Sequence, residues 1–251
     1  MTNNSLFEYL LRLGDNNLIL AQRLSAWCGH GPVLEEDIAL ANIALDLLGQ
    51  ARMWLTLAGE VEGKGRDEDK LAYLRNANEF RNVLLAEQAN GNFADTMARQ
   101  FYYDQWHYLL LNEMQKSTDV RVAAIAEKSL KEVAYHVRRS SEWIVMLGDG
   151  TDESHAKIQR AIDNLWPYTG ELFAMDEIDD ELAAAGVTCN VATLRPQWQQ
   201  RITTTLQEAT LEIPTAAWMQ SGGKQGVHSE SFGFLLAEMQ VLQRTYRGAT
   251  W

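Results

Sequence analysis

The sequence predicts an all-α protein whose core is a four-helix bundle with additional helices toward the C-terminus. Only four prolines interrupt the 251 residues, while Leu, Ala, Glu and Gln, which favour helices, are abundant. Apolar residues also recur at helical spacing, as in Leu6, Leu10 and Leu13, between polar or glycine-rich turns. Long proline-free runs of this composition favour helices over a sheet.

The order of helices and turns predicts two antiparallel hairpins. Gly29, Gly31 and Pro32 mark a tight turn after the first helix, and Asp119 is a candidate N-cap between two later helices. No linker of distinct composition separates the segments, so we expect a single domain over residues 1–251. The predicted helices span residues 5–27, 34–60, 67–87, 93–116, 119–147, 153–173, 195–209 and 229–244.

Charge and composition exclude several classes of partner. The net charge of −12 argues against nucleic acid, which requires clustered Lys and Arg. No apolar run of about 18 residues exists, so we expect no membrane span. Cys28 and Cys189 make no disulfide framework, and the N-terminus shows no secretory signal. We therefore expect a cytoplasmic protein.

Acidic residues occupy matched positions in the two hairpins. Asp15 and Asp46 lie equally far from the midpoint of the first turn, between His30 and Gly31. Asp104 and Glu132 are each 14 residues from Thr118, the predicted second turn. The stretch around Asp46, IALANIALDLLGQAR, is apolar all round and predicts a buried helix. We therefore expect four carboxylates at one level inside the bundle.

Four inner carboxylates are typical of ferritin-like di-iron proteins, in which two of them belong to Glu-x-x-His motifs. Here Gly49 and Tyr135 stand at the two histidine positions. His107 and His136 lie nearby at altered spacings, and Asp replaces Glu at three of the four acid positions. We therefore predict a degenerate site without metal, in which protein groups neutralise the buried acids. The candidate partners for the acids are His107, His136, Lys131 and Arg52.

Two other interpretations of the acids stay open. Each acid taken singly could be a solvated surface residue. The second interpretation is a di-metal carboxylate oxygenase in its own right. Its ligands would be Asp15, Asp46, Asp104, Glu132, His107 and His136.

Five segments resemble the C subunits of bacterial phenylacetyl-CoA epoxidases, over essentially the whole chain. They are LRLGDNNLILAQRLSAWCGHGP, IALANIALDLLGQAR, EQANGNFADTMARQF, KEVAYHVRRSSEW with LGDGT, and GGKQGVHSESFGFLLAEMQ. The resemblance implies a ferritin-like structural subunit of the oxygenase that acts in phenylacetate catabolism. The absent histidines agree with a subunit that has no catalytic centre.

The resemblance also implies the cofactors and partners. In such enzymes a related A subunit carries the di-iron centre and inserts oxygen into the ring of phenylacetyl-CoA, and this chain holds no cofactor of its own. The A and C subunits form a heterodimer that assembles further with other subunits. A reductase subunit with flavin and an iron–sulfur cluster supplies electrons from NADPH. The isolated chain could form a homodimer, since such bundles often expose apolar faces.

Two stretches are implied as contributors to the substrate environment. Arg81 is suited to an oxyanion of the thioester, because guanidinium binds such groups well. A third interpretation of the chain is therefore a coenzyme A thioester-binding protein without a redox role. A glycine-rich segment, SGGKQGVHSE, is predicted to be a structured connection that docks against a partner. The substrate-binding candidates are Glu79, Phe80, Arg81 and Asn82 in the first stretch, and Asp180, Glu181 and Leu182 in the second.

Overall fold

The computed structural model describes residues 2–249, and all regular structure in that range is helical. This confirms the predicted all-α class and fits a ferritin-like protein. Each helix in the described range is too short or too polar to cross a membrane. The α-helices are α1 (Asn3–Ser25), α2 (Leu34–Glu62), α3 (Glu68–Tyr73), α4 (Phe93–Met114), α5 (Val120–Gly148), α6 (Asp152–Leu165), α7 (Glu177–Ala184), α8 (Arg195–Glu208) and α9 (Phe232–Thr245). Short 3₁₀ segments are Ala77–Glu79, Trp166–Tyr168, Gly170–Phe173, Val191–Leu194 and Gly223–Gln225.

The chain divides into two compact units, each centred on one of the two predicted hairpins. The first unit contains the residues up to Glu87 and those from Gly222 onward, with α1, α2, α3 and α9. The second unit contains residues 88–221, with α4 to α8. The single domain that the sequence predicts stays a prediction.

In the first unit, α1 and α2 pack closely along their length. A side chain on Gly14 would bring its Cβ within 2.6 Å of Leu55, so the glycine permits the close approach. The Asn17 amide donates a hydrogen bond to Gln50, with 3.3 Å between nitrogen and oxygen. These contacts set the register of the hairpin. Buried residues occupy most of the circumference of α1 but only one side of α2.

The segment after α3 differs from the predicted helix over residues 67–87. Helical structure there is confined to Glu68–Tyr73 and one 3₁₀ turn, and the chain then runs irregularly to Glu87. Polar side chains of α1 accept hydrogen bonds from backbone N–H groups of this segment. Asp15 accepts one from the N–H of Arg81 at 2.8 Å, and Asn16 accepts one from the N–H of Val83 at 2.8 Å. A buried backbone whose donors are satisfied in this way does not need to be helical.

The second unit packs α6 and α8 against the α4–α5 hairpin. Tyr102 is fully buried, and its hydroxyl donates to the carbonyl of Ile162 at 3.2 Å. The indole of Trp198 donates to the carbonyl of Tyr102 at 3.1 Å, so three helices meet at this tyrosine. The predicted helix 153–173 ends earlier, at Leu165, and continues as 3₁₀ turns because Pro167 cannot continue an α-helix.

Helix α7 was not among the predicted helices. Asp176 caps it by accepting hydrogen bonds from the N–H groups of Ile178 and Asp179 at 3.1 and 3.2 Å. Asp179 in turn accepts from the Asp176 N–H at 3.2 Å, which completes a reciprocal cap. The acidic pair three residues apart was therefore a helix-start signal in the sequence.

Candidate functional site

Asp15 is fully buried in the first unit and forms an ion pair with Arg75. Both carboxylate oxygens contact the guanidinium, and Nη1 of Arg75 lies 3.0 Å from Oδ2. The N–H of Arg81 donates a further hydrogen bond to the same oxygen, and the Arg75 guanidinium lies 4.3 Å above the ring of Phe80. A bidentate, hydrogen-bonded partner is what a buried carboxylate needs in the absence of a metal. Asp15 is therefore neutralised by the protein itself.

Asp46 does not lie opposite Asp15, so the predicted pairing of these two acids is wrong. Asn17 faces Gln50 and Gly14 faces Leu55, which places the level of Asp15 between residues 50 and 55 of α2. The cause is the connection between the two helices. Helix α2 begins at Leu34, and its first two helical turns extend beyond the end of α1. The hairpin is therefore not symmetrical about residues 30 and 31.

The prediction that α2 is buried on all sides is also wrong. Asp46 is half-buried, and its neighbours Leu45 and Leu48 are 64% and 43% exposed. Gly49, at one of the two customary histidine positions, is exposed, and a Cβ added there would meet no atom within 4 Å. In this chain a side chain at position 49 therefore faces away from the core.

Asp104 in the second unit is 1% exposed and interacts with α5. Burial raises the pKa of its carboxyl from 3.8 to about 6, against the opposing effects of the His136 imidazole and the Ser140 hydroxyl. The neighbouring Gln105 amide donates to Ser141 at 2.9 Å, which fixes the register of α4 against α5. Asp104 therefore faces the turn of α5 that contains His136 and Ser140.

Glu132 lies about two helical turns before Ser140, so the predicted pairing of Asp104 with Glu132 is wrong as well. Glu132 is half-buried, and Tyr135, at the second customary histidine position, is 39% exposed. As in the first hairpin, the start of the second helix (here α5) extends beyond the end of the helix before it (here α4). Equal distance in sequence from Thr118 therefore did not place Asp104 and Glu132 at the same height of the hairpin.

The two predicted histidines are both buried, at 2% exposure for His107 and 0% for His136. Burial lowers the pKa of His107 from 6.5 to about 3, and the nearby His136 lowers it further. His107 is therefore neutral at physiological pH. Of the predicted partners for the acids, His136 lies beside Asp104. Lys131 and Arg52 instead pair with Glu127 and Glu68 on the surface.

The residues that would bind metal do not fit a di-iron centre. Within residues 2–249 no group of three or more His, Cys, Asp or Glu side chains is arranged to hold a metal ion. Asp15 already gives both oxygens to Arg75, and the side chains at positions 49 and 135 supply no inward imidazole.

The first substrate-binding stretch has structural contacts of its own. Phe80 is fully buried and packs edge-on against Phe232, with ring centroids 5.7 Å apart. Glu79 accepts from the N–H of Asn76 at 2.7 Å, and Asn82 donates to Glu87 at 3.0 Å. The structure thus gives three of these four residues a role in holding the segment after α3.

Arg81 is the member of this stretch that is suited to an anion, but its guanidinium is already engaged. Nε lies 3.1 Å from Glu8, and Nη1 donates to the carbonyls of Asn78 and Phe80 at 2.8 and 3.0 Å. A phosphate would have to displace the glutamate or share the arginine with it. The assignment of Arg81 to substrate therefore stays a prediction.

The second stretch lies on α7 in the other unit. Asp180 is exposed, Glu181 is half-buried and Leu182 is fully buried. Leu182 is a core residue of its unit, and the two acids would repel the phosphates of a thioester. Their assignment to substrate likewise stays a prediction.

Sequence reasoning missed Arg75, the residue that neutralises Asp15. It also missed the pairing of Glu87 with His228: Nδ1 of His228 lies 2.7 Å from the buried Glu87 carboxylate, and Nε2 lies 3.2 Å from the carbonyl of Phe80. The N–H of Ser229 donates to the same carboxylate at 2.6 Å. The glycine-rich segment SGGKQGVHSE, predicted to dock against a partner, thus packs on residues of its own unit.

The helical architecture and the ion pair of Asp15 with Arg75 fit the class of ferritin-like helical proteins in which a carboxylate is held by a protein cation. It belongs to the phenylacetic acid catabolic protein family, PaaA_PaaC, whose model matches residues 1–251. It is also similar to the C subunit of 1,2-phenylacetyl-CoA epoxidase from Escherichia coli (strain K12). The two are 51% identical over 248 residues, which cover 99% of this chain and 100% of the relative. A subunit role in phenylacetate catabolism follows from this similarity.

Proposed function

We propose that this chain is a non-catalytic structural component of a phenylacetyl-CoA epoxidase, cytoplasmic, and held in complex with a di-iron A subunit and the other epoxidase subunits. The whole-length similarity to a C subunit supports membership of such a complex. The ion pair between Asp15 and Arg75 supports the non-catalytic part, because it occupies a buried carboxylate that the sequence offered as a candidate iron ligand.

In this proposal the chain holds neither iron nor flavin. Oxygen chemistry would belong to the A subunit, and electrons would come from NADPH through the flavin and iron–sulfur reductase. Phenylacetyl-CoA would bind in the complex, with residues 79–82 as the better candidates on this chain for a contribution to its pocket. Their buried, hydrogen-bonded backbone would supply a rigid surface rather than reacting groups.

Reconstitution of the complex tests the proposal. We expect the chain to co-elute with the A subunit in size-exclusion chromatography at micromolar concentration. The complex should carry about two irons, which one di-iron centre accounts for. A complex that contains the variant Asp104→Asn together with His107→Gln should epoxidise phenylacetyl-CoA at the rate of the wild type. A matched change of an iron ligand in the A subunit should abolish turnover.

Three results would contradict the proposal. Absence of co-elution would reject the partnership with the A subunit. Turnover of phenylacetyl-CoA by the isolated chain with the reductase, lost in Asp104→Asn, would favour the di-metal oxygenase instead. Binding of phenylacetyl-CoA to the isolated chain, lost in Arg81→Ala, would favour the thioester-binding protein.

A further inference from the structure

Residues 222–229, here called the C-terminal strap, lie against the irregular segment that follows α3. A Cβ added to Gly223 would lie 2.2 Å from the carbonyl oxygen of Asn82, and one added to Gly226 would lie 2.3 Å from that of Asn78. Because glycine has no Cβ, the two backbones can approach this closely. The strap therefore rests directly on the backbone of this segment.

His228, near the end of the strap, places each of its ring nitrogens against an acceptor. Nδ1 lies 2.7 Å from Oε2 of Glu87, and Nε2 lies 3.2 Å from the carbonyl oxygen of Phe80. A neutral imidazole carries one N–H, whereas an imidazolium carries two. The carbonyl can only accept, so Nε2 must carry a hydrogen. A second hydrogen is then needed between Nδ1 and the carboxyl group of Glu87.

The other contacts of Glu87 place this second hydrogen on the ring. Its two oxygens also accept hydrogen bonds from the Asn82 amide at 3.0 Å and from the Ser229 N–H at 2.6 Å. Hydrogen bonds donated to a carboxyl group favour its ionised form. The His228 ring is also stacked on the ring of Phe232, with centroids 4.0 Å apart, and an aromatic face attracts a cation. Both observations favour an imidazolium paired with a carboxylate.

The charges around this pair favour the same assignment. The charged groups that face it are Arg23 and Glu8 of α1, Arg81 of the segment after α3, and Glu238 of α9. Arg81 donates to the carbonyl of Phe80 but pairs with Glu8 at 3.1 Å. Arg23 donates to the carbonyl of Glu87 at 3.0 Å and is attracted by both Glu87 and Glu238. Two arginines thus face three acids, and a cationic His228 balances the third.

We propose that His228 is an imidazolium at neutral pH and that its extra proton locks the C-terminal strap onto the segment after α3, as a pH-sensitive latch. When the ring gives up this proton, one of its two contacts loses its hydrogen. The carboxylate of Glu87, whose side chain is 0% exposed, then loses its cation as well. The strap therefore opens more readily as the pH rises.

The direction of this pH effect follows from proton binding. In the closed state the His228 side chain is 5% exposed and holds the extra proton. In the open state the ring is solvated, and a solvated histidine is mostly neutral at about pH 7.5. Opening therefore releases one proton, and the equilibrium constant for opening rises by up to about tenfold per pH unit.

Nitrogen-15 NMR of the histidine rings in the isolated full chain tests the protonation state. At about pH 7.5, where a solvated histidine is mostly neutral, both ring nitrogens of His228 should carry a hydrogen. The signals are assigned by their absence in His228→Asn. In Glu87→Gln, which keeps the shape of the side chain but removes its charge, the ring should be neutral at this pH. A neutral ring in the wild type would overturn the proposal.

Hydrogen exchange of the Ser229 amide, which is bonded to Glu87, tests the coupling to opening. After division by the intrinsic exchange rate, the opening constant of the wild type should rise by up to about tenfold per pH unit above pH 7. His228→Asn keeps a donor but cannot titrate, so its opening constant should not change with pH. The matched control is His155→Gln, which removes a half-buried histidine of the second unit and should behave as the wild type does.

Two results of the exchange experiment would overturn the latch. One is a wild-type opening constant that does not change with pH, which would show that the proton is not coupled to opening. The other is the same pH dependence in His228→Asn, which would assign the effect to another group. Far-ultraviolet circular dichroism verifies that the variants fold. Because the isolated chain is measured, each result is separate from the test of the proposed function.

Discussion

Each of the two hairpins contains a buried carboxylate, and the surroundings of the two carboxylates differ. Asp15 in the first hairpin and Asp104 in the second are both buried carboxylates on the first helix of their pair. Asp15 is held by Arg75 through a bidentate ion pair. Asp104 forms no such bidentate ion pair, and burial raises its pKa to about 6 against the smaller opposing effects of His136, Ser140 and Arg99. One acid is paired with a cation, whereas burial shifts the pKa of the other upward.

The difference shows that similar sequence surroundings do not imply similar electrostatics. A buried ion pair is costly to break, because removal of one partner leaves an uncompensated charge in the core. A buried carboxyl with a raised pKa carries its cost only where the pH ionises it. The first site should therefore respond to mutation and the second to pH.

The largest effect is expected at the first site. Arg75→Met should destabilise the protein by about 3–5 kcal/mol, because Asp15 would lose the guanidinium that forms its ion pair. Urea unfolding at pH 7 measures this. The matched control is Arg52→Met, which breaks an exposed ion pair with Glu68 and should cost at most about 1 kcal/mol.

A double variant sharpens this test. Adding Asp15→Asn to Arg75→Met removes the stranded charge and should recover part of the lost stability. If Arg75→Met cost no more than the Arg52 control, Asp15 would not depend on the ion pair, and the contrast between the hairpins would fail.

The second site should show opposed pH effects from Asp104 and His107. A carboxyl whose folded pKa is raised from 3.8 to about 6 loses stability as pH rises through that interval. An imidazole whose folded pKa is lowered from 6.5 to about 3 loses stability as pH falls through its own interval. Between pH 4 and 6, as bounded by these values, the two contributions oppose each other.

Single variants should therefore separate the two pH-dependent contributions to stability that partly cancel in the wild type. Relative to wild type, Asp104→Asn should gain stability with rising pH across this interval, by about 1 kcal/mol per pH unit. His107→Gln should change by a similar amount in the opposite direction. Unfolding free energies measured at a series of pH values check both. Curves parallel to that of the wild type would contradict the assigned pKa shifts.

A smaller effect is expected where His228 contacts Glu87 inside the first unit. His228→Ala should cost about 2 kcal/mol, because the buried Glu87 would lose a charge-assisted hydrogen bond. His228→Asn, which keeps one donor, should cost less. Hydrogen exchange of the Ser229 amide reports local release of the segment. Unchanged protection in His228→Ala would show that the other contacts suffice to hold it.

The sequence predicted the fold class and most helix boundaries well. The polar turns after α1 and α4 were inferred from glycine, proline and capping residues, whose effects are local. Pro167 shortened α6, and the capping pair at Asp176 started α7, so both differences also have local causes. Structural features that depend on a few neighbouring residues, such as helix ends and turns, could therefore be predicted from the sequence.

The positions of the acids along the hairpins, and the residues that pair with them, could not be predicted in the same way. Counting residues from a turn assumes that both helices begin at the same height, but α2 and α5 both start beyond the ends of their neighbours. Arg75 meets Asp15 across 60 residues of chain, and His228 meets Glu87 across 141. No local pattern encodes such contacts, since tertiary packing decides them.

The central claim is that the buried acids of this chain are stabilised without metal ions, Asp15 by its ion pair with Arg75 and Asp104 by a raised pKa. Anaerobic titration of the isolated chain with ferrous iron, followed by calorimetry and a metal count after gel filtration, tests it most directly. We predict no stoichiometric binding, and an Asp104→Asn variant that behaves as the wild type does. Retention of about two irons per chain, lost in that variant, is what a di-iron centre would give and would contradict the account.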